Sequence, residues 1–249
     1  MQIRHLLMLF GLLTPLSSMA NDVIQQAINN PDRPAEDKLR DSQRQPDKVL
    51  AFFEFKPEQQ VLDVFSGSGY YTELVARIVG PKGHVDAHNN APYIKFIGED
   101  KITARYADKR LPNVTQLMQD ANSLELPTNH YDRILFILSF HDLYHVDEQN
   151  GWDKIDDQVF MTKLLDALTD DGILGLVDHI APAGSGTQAG ESLHRIDPAI
   201  IRQKMAEWGF KLIAEETFLH NSDDPLDIPM WDKNIRGKTS RVVMKFTPM

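Results

Sequence analysis

Cysteine is missing from this chain. Its absence excludes thiol nucleophiles, thiolate metal sites and disulfides, so the fold must stand on its core alone. Positive charge is scarce: 26 Lys and Arg face 36 Asp and Glu, leaving a net charge of -10. A surface this acidic repels phosphate backbones, and nucleic acid is not an expected partner. Apolar runs long enough to cross a membrane are lacking beyond the first twenty residues, so no membrane span is expected after them. Internal repeats and low-complexity tracts are lacking too.

The first twenty residues have the composition of an export leader. Arg4 supplies a short basic region, Leu6 to Leu13 an apolar core, and Ser18-Met19-Ala20 a small-x-small cleavage point. The apolar run is short for a membrane span, and Pro15 interrupts it. Removal of residues 1–20 and an exported, periplasmic location are therefore expected, with an uncleaved anchor as the alternative. The remainder, about 229 residues, suits one α/β domain. Residues 21–46 are polar and charged, and read as lead helices; Pro34 and Pro46 can each open a helix. The main domain is expected over residues 47–249.

From there short apolar runs alternate with helical patterns. Strands are expected at Val61–Val64, Val85–His88, Val114–Met118, Arg133–Leu138 and Ile173–Val177. Helices are expected at Tyr71–Val79, Tyr93–Ala107 and Asp157–Leu168. Alternation of this kind builds a parallel sheet covered on both faces. Asp197, Pro198 and Gly209 then cap, open and stop one more helix. "KLIAEETF" and "SRVVMKFTP" read as strands six and seven, joined by a long loop without a crossover helix. The expected fold class is α/β: a Rossmann-like, doubly wound seven-stranded sheet, mostly parallel with an antiparallel last strand.

The segment "DVFSGSGYYTE", Asp63 to Glu73, is a strand end, a glycine turn and a helix start. Such a turn brings backbone close to a ligand and aims helix N–H groups at it. Gly67 and Gly69 fit the dinucleotide fingerprint, but Thr72 stands where its third glycine belongs, which disfavours a nicotinamide oxidoreductase. The longer stretch "VLDVFSGSGYYTELVARIVGPKGHV", with "QDANSLELPTNHYDRILF" and "LLDALTDDGILGLVDH", resembles class I S-adenosylmethionine-dependent methyltransferases. "SFHDLYH", "DHIAPAGSG" and "LHRIDP" are similar to an exported bacterial subgroup of predicted methyltransferases. The resemblance implies S-adenosylmethionine as cofactor and a small-molecule substrate. It places Asp63 at the loop or the ligand's amino group, Gly67 and Gly69 under the methionine and ribose, Asn89 at the ribose, and Asp120 with Ala121 at the adenine. Two positions depart from the pattern. Phe65 replaces the first glycine of the loop, and Asn89 stands where an acid normally grips the ribose.

Function in an open parallel sheet gathers at the carboxyl ends of its strands. Strand four runs out into "SFHDLYH" and strand five into "VDH", which puts His141, Asp142, His145, Asp178 and His179 at that edge. His194, Arg195 and Asp197 lie on the next loop. Three roles fit these side chains. His141 suits a general base near neutral pH, oriented by Asp142 or Asp178, with His179 beside it. Histidine and aspartate could instead hold a divalent metal, with His141, Asp178, His179 and His194 as ligands to test, although the spacing singles out no metal motif. The third role is a hydrogen-bonded network that caps the strand ends. Methyl transfer to a small molecule is the leading reading. A non-catalytic exported protein that binds a nucleoside or another metabolite is the alternative.

Overall fold

The structure, a computed structural model, describes residues 16–249. The leader expected over residues 1–20 lies outside the described residues, except that 16–20 open the first helix. In chain order the elements are α1 (Leu16–Ile28), α2 (Ala35–Arg44), α3 (Pro46–Phe52), β1 (Gln60–Val64), α4 (Tyr70–Val79), β2 (His84–Asn89), α5 (Ala91–Ile97), α6 (Glu99–Tyr106) and β3 (Val114–Met118). They continue with β4 (Tyr131–Ile137), α7 (Asp157–Ala167), β5 (Leu168–His179), α8 (Gln188–Leu193), α9 (Pro198–Glu207), β6 (Phe210–Glu216) and β7 (Arg241–Pro248). One seven-stranded sheet runs in the order β3-β2-β1-β4-β5-β7-β6. The strands from β1 to β5 pair in parallel, and β7 enters antiparallel between β5 and β6. The expected fold class is the observed one.

The apolar run Ile134–Phe136 in β4 is buried on both faces, as a central parallel strand requires. One core cluster packs Phe136, Phe160, Leu164 and Trp208 on one face; the other packs Leu50, Phe53, Leu74 and Val177 on the opposite face. At Gly175 a Cβ would come within 2.6 Å of the Phe53 ring, so the bare glycine lets α3 lie flat on β5. Local signals worked where side chains close a helix end. Asp197 accepts from Ala199 N to cap α9, and Asp156 accepts from Val159 N to cap α7.

The single helix expected over Tyr93–Ala107 is two helices. Gly98 separates them with φ +95, a conformation that ends α5 and starts α6 at a new angle. The break turns α6 inward and buries Arg105, which is 5 % exposed. Arg105 donates from Nη1 to Glu73 Oε2 at 2.5 Å and from Nε to Ser68 O in the glycine loop at 2.7 Å. The same Nη1 lies 2.7 Å from Asp37 Oδ2 on α2. Glu73 also accepts from Arg110 and Arg77. Burial pushes the Glu73 carboxyl up, but Arg110, Arg77 and Arg105 together outweigh it and hold it at about 2. The lead helix, the glycine loop and α4 are thus tied to one guanidinium.

Removing that guanidinium leaves two buried carboxylates short of a cation. Arg105→Met is expected to cost about 3–5 kcal/mol in urea unfolding. Arg105→Lys should recover only part of this, because an ammonium lacks the planar fork that reaches three acceptors. A loss below about 1 kcal/mol for Arg105→Met, the scale of an exposed pair, would show that the network is not what secures the lead helix.

Candidate functional site

A cavity of about 780 Å³ opens at the carboxyl ends of β1, β4 and β5. Asp63, Phe65 and Gly67 form one wall. Arg40 and Arg44 at the end of α2 form a second, and His141, Asp142 and His179 a third. The loop between β6 and β7 closes the cavity with Met230, Trp231 and Arg236. That loop is fixed from beneath by Arg195, fully buried, whose guanidinium forks onto Asp224 at 2.8 and 2.9 Å. Arg195 is therefore a clamp for the loop, and Asp197 is the cap of α9. Residues 181–190, with the composition of a lid, do not line the cavity. Gly190 instead packs α8 against the His141 carbonyl, which a Cβ would approach to 2.7 Å.

The glycine loop turns as its sequence demands. Gly67 and Gly69 have φ +62 and +80. Phe65 also holds a positive φ, +48, which explains why a glycine is the easier residue at this place. Its ring points into the core and stacks on Tyr93 at 4.8 Å and on Phe160 at 5.5 Å. Phe65 thus lines the cavity while most of its ring is spent in the core, and packing offsets the backbone strain.

Asn89 differs from the expected ribose partner. Its side-chain oxygen accepts from Gly67 N at 3.0 Å, and its amide donates to Ser66 Oγ and to Gly67 O at 3.0 and 3.1 Å. Every hydrogen it can donate is committed to the loop. Sequence position put Asn89 at the right strand end, but only the fold shows that it braces the turn. Asp120 is exposed and closes a small turn by accepting from Asn122 N at 2.9 Å. Ala121 is buried beside it, and neither lines the cavity.

Asp63 does face the cavity. Its Oδ2 accepts from the Thr72 hydroxyl at 2.6 Å. Burial pushes its carboxyl up to about 7, against the Thr72 hydrogen bond and the nearby Arg44 charge. Arg44, half-buried, lies over the Tyr70 ring at 4.5 Å and makes no ion pair among the described residues. Arg33 is buried and forks onto Asp41 at 2.8 Å, while Arg40 and Arg44 reach the cavity. The bends that deliver them follow from Pro46, which is preceded by Gln45 at φ 41. That left-handed residue had no signal in the sequence.

At the far wall the histidines are sorted by their neighbours. His141 is buried, its Nδ1 2.7 Å from Asp178 Oδ1, and its backbone N–H donates to Asp178 Oδ2 at 2.8 Å. Burial pulls the imidazolium down, but Asp142 and Asp178 outweigh it and raise it to about 9. The sequence offers His141 as a general base near neutral pH; in the fold these carboxylates favour its protonated form. His179 is the opposite case. Burial, then the charges of Arg241 and His141, hold it well below its ordinary value, and it is neutral. Its Nδ1 lies 2.6 Å from the Thr239 hydroxyl. Two histidines with rings 5.8 Å apart are thereby split into one cationic and one neutral member. Asp178, fully buried, orients from behind and does not reach the cavity.

Comparison with known proteins finds likeness to methyltransferases in part of the sequence and in most of the fold. A family model described as protein-L-isoaspartate(D-aspartate) O-methyltransferase matches residues 43–141. The ubiquinone/menaquinone biosynthesis C-methyltransferase UbiE of Pseudomonas paraeruginosa is 36% identical over 91 residues, covering 36% of this chain and 34% of the relative. The protein-L-isoaspartate O-methyltransferase of Ignicoccus hospitalis is 32% identical over 82 residues, 33% of this chain and 37% of that one. The chain thus spans about a third of the length of the curated relatives it matches. A solved S-adenosylmethionine-dependent methyltransferase from Aquifex aeolicus is similar over 92% of this chain and 98% of its own, with a TM-score of 0.61 and 18% identity. That likeness shows the fold, a Rossmann-like methyltransferase architecture.

The role of Asn89 can be checked by restoring the acid that the resemblance led one to expect. Asn89→Asp keeps the acceptor for Gly67 N, and the Ser66 hydroxyl can turn to donate to it, but the carboxylate is set against Gly67 O with no hydrogen to give. It should destabilise the protein by about 1–3 kcal/mol in thermal or urea unfolding. An unchanged or raised stability would mean that the loop does not depend on the asparagine amide.

Proposed function

We propose that this protein is an S-adenosylmethionine-dependent methyltransferase acting on a small molecule. One observation carries the reading. Asp63 and Arg44 face the same cavity, close enough for the arginine charge to act on the carboxylate, yet they make no ion pair with each other among the described residues. A buried carboxyl and an unpaired guanidinium side by side suit the ammonium and carboxylate of one α-amino acid group. The methionine end of the cofactor presents that pair. The glycine turn at Gly67 lies between this corner and the apolar surface of Ile97 and Phe96, which suits a flat ring. The architecture and the matched segment support the same assignment.

S-adenosylmethionine supplies an electrophilic methyl group on a sulfonium. The chain's own contribution is to hold the two partners in line and exclude water, which is where much of the rate comes from in such a displacement. The acceptor wall would be the one formed by His141, Asp142 and His179, with Asp178 holding His141 in place. Neutral His179 can accept a hydrogen bond from the acceptor group, and cationic His141 balances the carboxylates around it. The family-model match ends at His141, so most of this wall lies beyond it. The same reading includes export, as the composition of residues 1–20 suggests. Among the described residues no helix is long and apolar enough to cross a membrane.

Calorimetric titration with S-adenosylmethionine and its demethylated product tests this. Both should bind, and Gly67→Val should abolish binding by straining a turn at φ +62 and crowding Ile97. The Asp63 carboxyl is raised to about 7, and the ligand ammonium needs it ionised. Affinity should therefore rise with pH up to about 7, by up to about tenfold per unit, and then level off. Asp63→Asn should flatten that profile and weaken binding at pH 8. No binding of either compound by folded protein would sink the methyltransferase reading. It would favour the alternative of a different metabolite in an inherited fold, to which the commitment of Asn89 to the loop already lends weight.

A further inference from the structure

We propose that His141, Asp142 and His194 form a binding site for one divalent first-row transition-metal ion. Three donor atoms converge: His141 Nε2, Asp142 Oδ1 and His194 Nδ1, all within 4.8 Å of one another. Asp142 Oδ1 lies 3.3 Å from each imidazole nitrogen. That is long for a charge-assisted hydrogen bond, which settles near 2.7–2.9 Å. It is the spacing of donors that share an ion: ligands about 2.1 Å from a metal stand roughly 3.0–3.4 Å apart at right or tetrahedral angles. Two imidazoles and one carboxylate suit iron, manganese, cobalt or zinc, and suit magnesium or calcium poorly.

The surroundings orient each donor. Asp178 holds the Nδ1 side of His141, which directs Nε2 towards Asp142. The ion would displace the Nε2 proton that His141 carries in the metal-free protein, and a carboxylate behind the ring in this way keeps the remaining proton on Nδ1 and raises the basicity of the ligand. The Tyr93 hydroxyl binds the other oxygen of Asp142, Oδ2, and leaves Oδ1 to face the histidines. His194 ends α8 in the left-handed conformation, φ +48, which is uncommon for any residue but glycine and is held here by the packing around it. Gly190 brings α8 onto the backbone of His141 and so delivers His194 across the gap between β4 and α8. Three ligands leave further coordination positions, and all three residues line the cavity. An oxygen or nitrogen of a molecule in that cavity would complete the shell. The site goes beyond the methyl-transfer reading and does not depend on it.

The test is metal binding alone, without cofactor or substrate. Untagged, chelator-stripped protein is titrated with Co²⁺, with ligand-field absorption and bound metal as the readouts, and Zn²⁺ is used in competition. About one equivalent per chain is expected, with visible bands of an ordered site. His194→Ala, at a partly exposed position that tolerates truncation, should abolish the bands. Asp178→Asn should weaken binding by about 10–100-fold while leaving all three ligands in place. His130→Ala, at the opposite end of β4, should bind like the parent. Failure of the folded parent to take up Co²⁺ or Zn²⁺ at micromolar concentration overturns the proposal, as does His194→Ala binding unchanged. Cofactor calorimetry on the same protein reports separately on the methyltransferase reading.

Discussion

A single buried guanidinium ties together the parts that form the glycine-turn corner of the cavity. Arg105 takes hold of the Ser68 carbonyl, Glu73 of α4 and Asp37 of α2 at the same time. The glycine turn by itself is a flexible segment, since its residues gain their special angles at the expense of chain entropy. Arg105 fixes that turn from behind, and Asn89 fixes it from the side. The same contact with Asp37 seats α2, so that Arg40 and Arg44 arrive as part of the cavity wall. Binding groups separated by a long stretch of sequence are thus placed together by one ionic hub. Being buried, the hub keeps its strength where salt would screen an exposed pair.

The cavity is divided by charge as well as by shape. Near the glycine turn, a carboxyl poised around neutrality sits beside an unpaired arginine. At the far wall, two carboxylates hold a proton on His141, while a neighbouring arginine keeps His179 without one. Burial creates both conditions, because an interior charge interacts strongly with its nearest neighbours. The family-model match runs from residue 43 to 141, so it includes Asp63 and Arg44 of the first corner and only His141 of the second.

Much of the architecture was legible because parallel strands buried on two faces leave uninterrupted apolar runs. Val114–Met118 was read to the residue, and the antiparallel entry of the last strand followed from the missing crossover helix. Proline and aspartate marked helix starts correctly at Pro46 and Asp197. Other features had no local signature. Gly98 within a helical pattern gave no sign that it would split the helix and bury Arg105. Nothing near Asn89 foretold its three bonds to a loop twenty residues earlier. Asp120 and Asn89 were placed by analogy with a pattern of positions, and positions do not reveal where a side chain's hydrogen bonds are spent. The cluster of histidine and aspartate at the strand ends was legible as a cluster. Its division into a cationic and a neutral imidazole depends on distances that no sequence carries.

The position of β7 has a consequence for the order in which the molecule can assemble. It is the last strand along the chain, yet it lies between β5 and β6. Until it enters, β6 has no neighbour, and the β5 edge carrying Asp178 and His179 lies open. Arg241 and Thr239, which surround His179, arrive with the same strand. The sheet therefore cannot be zipped up progressively during synthesis, and its closing contacts are among the most distant in sequence, the kind that form slowly. A partly made chain would have the glycine turn but no finished chamber. The chamber is in this way finished only when β7 has paired with both β5 and β6.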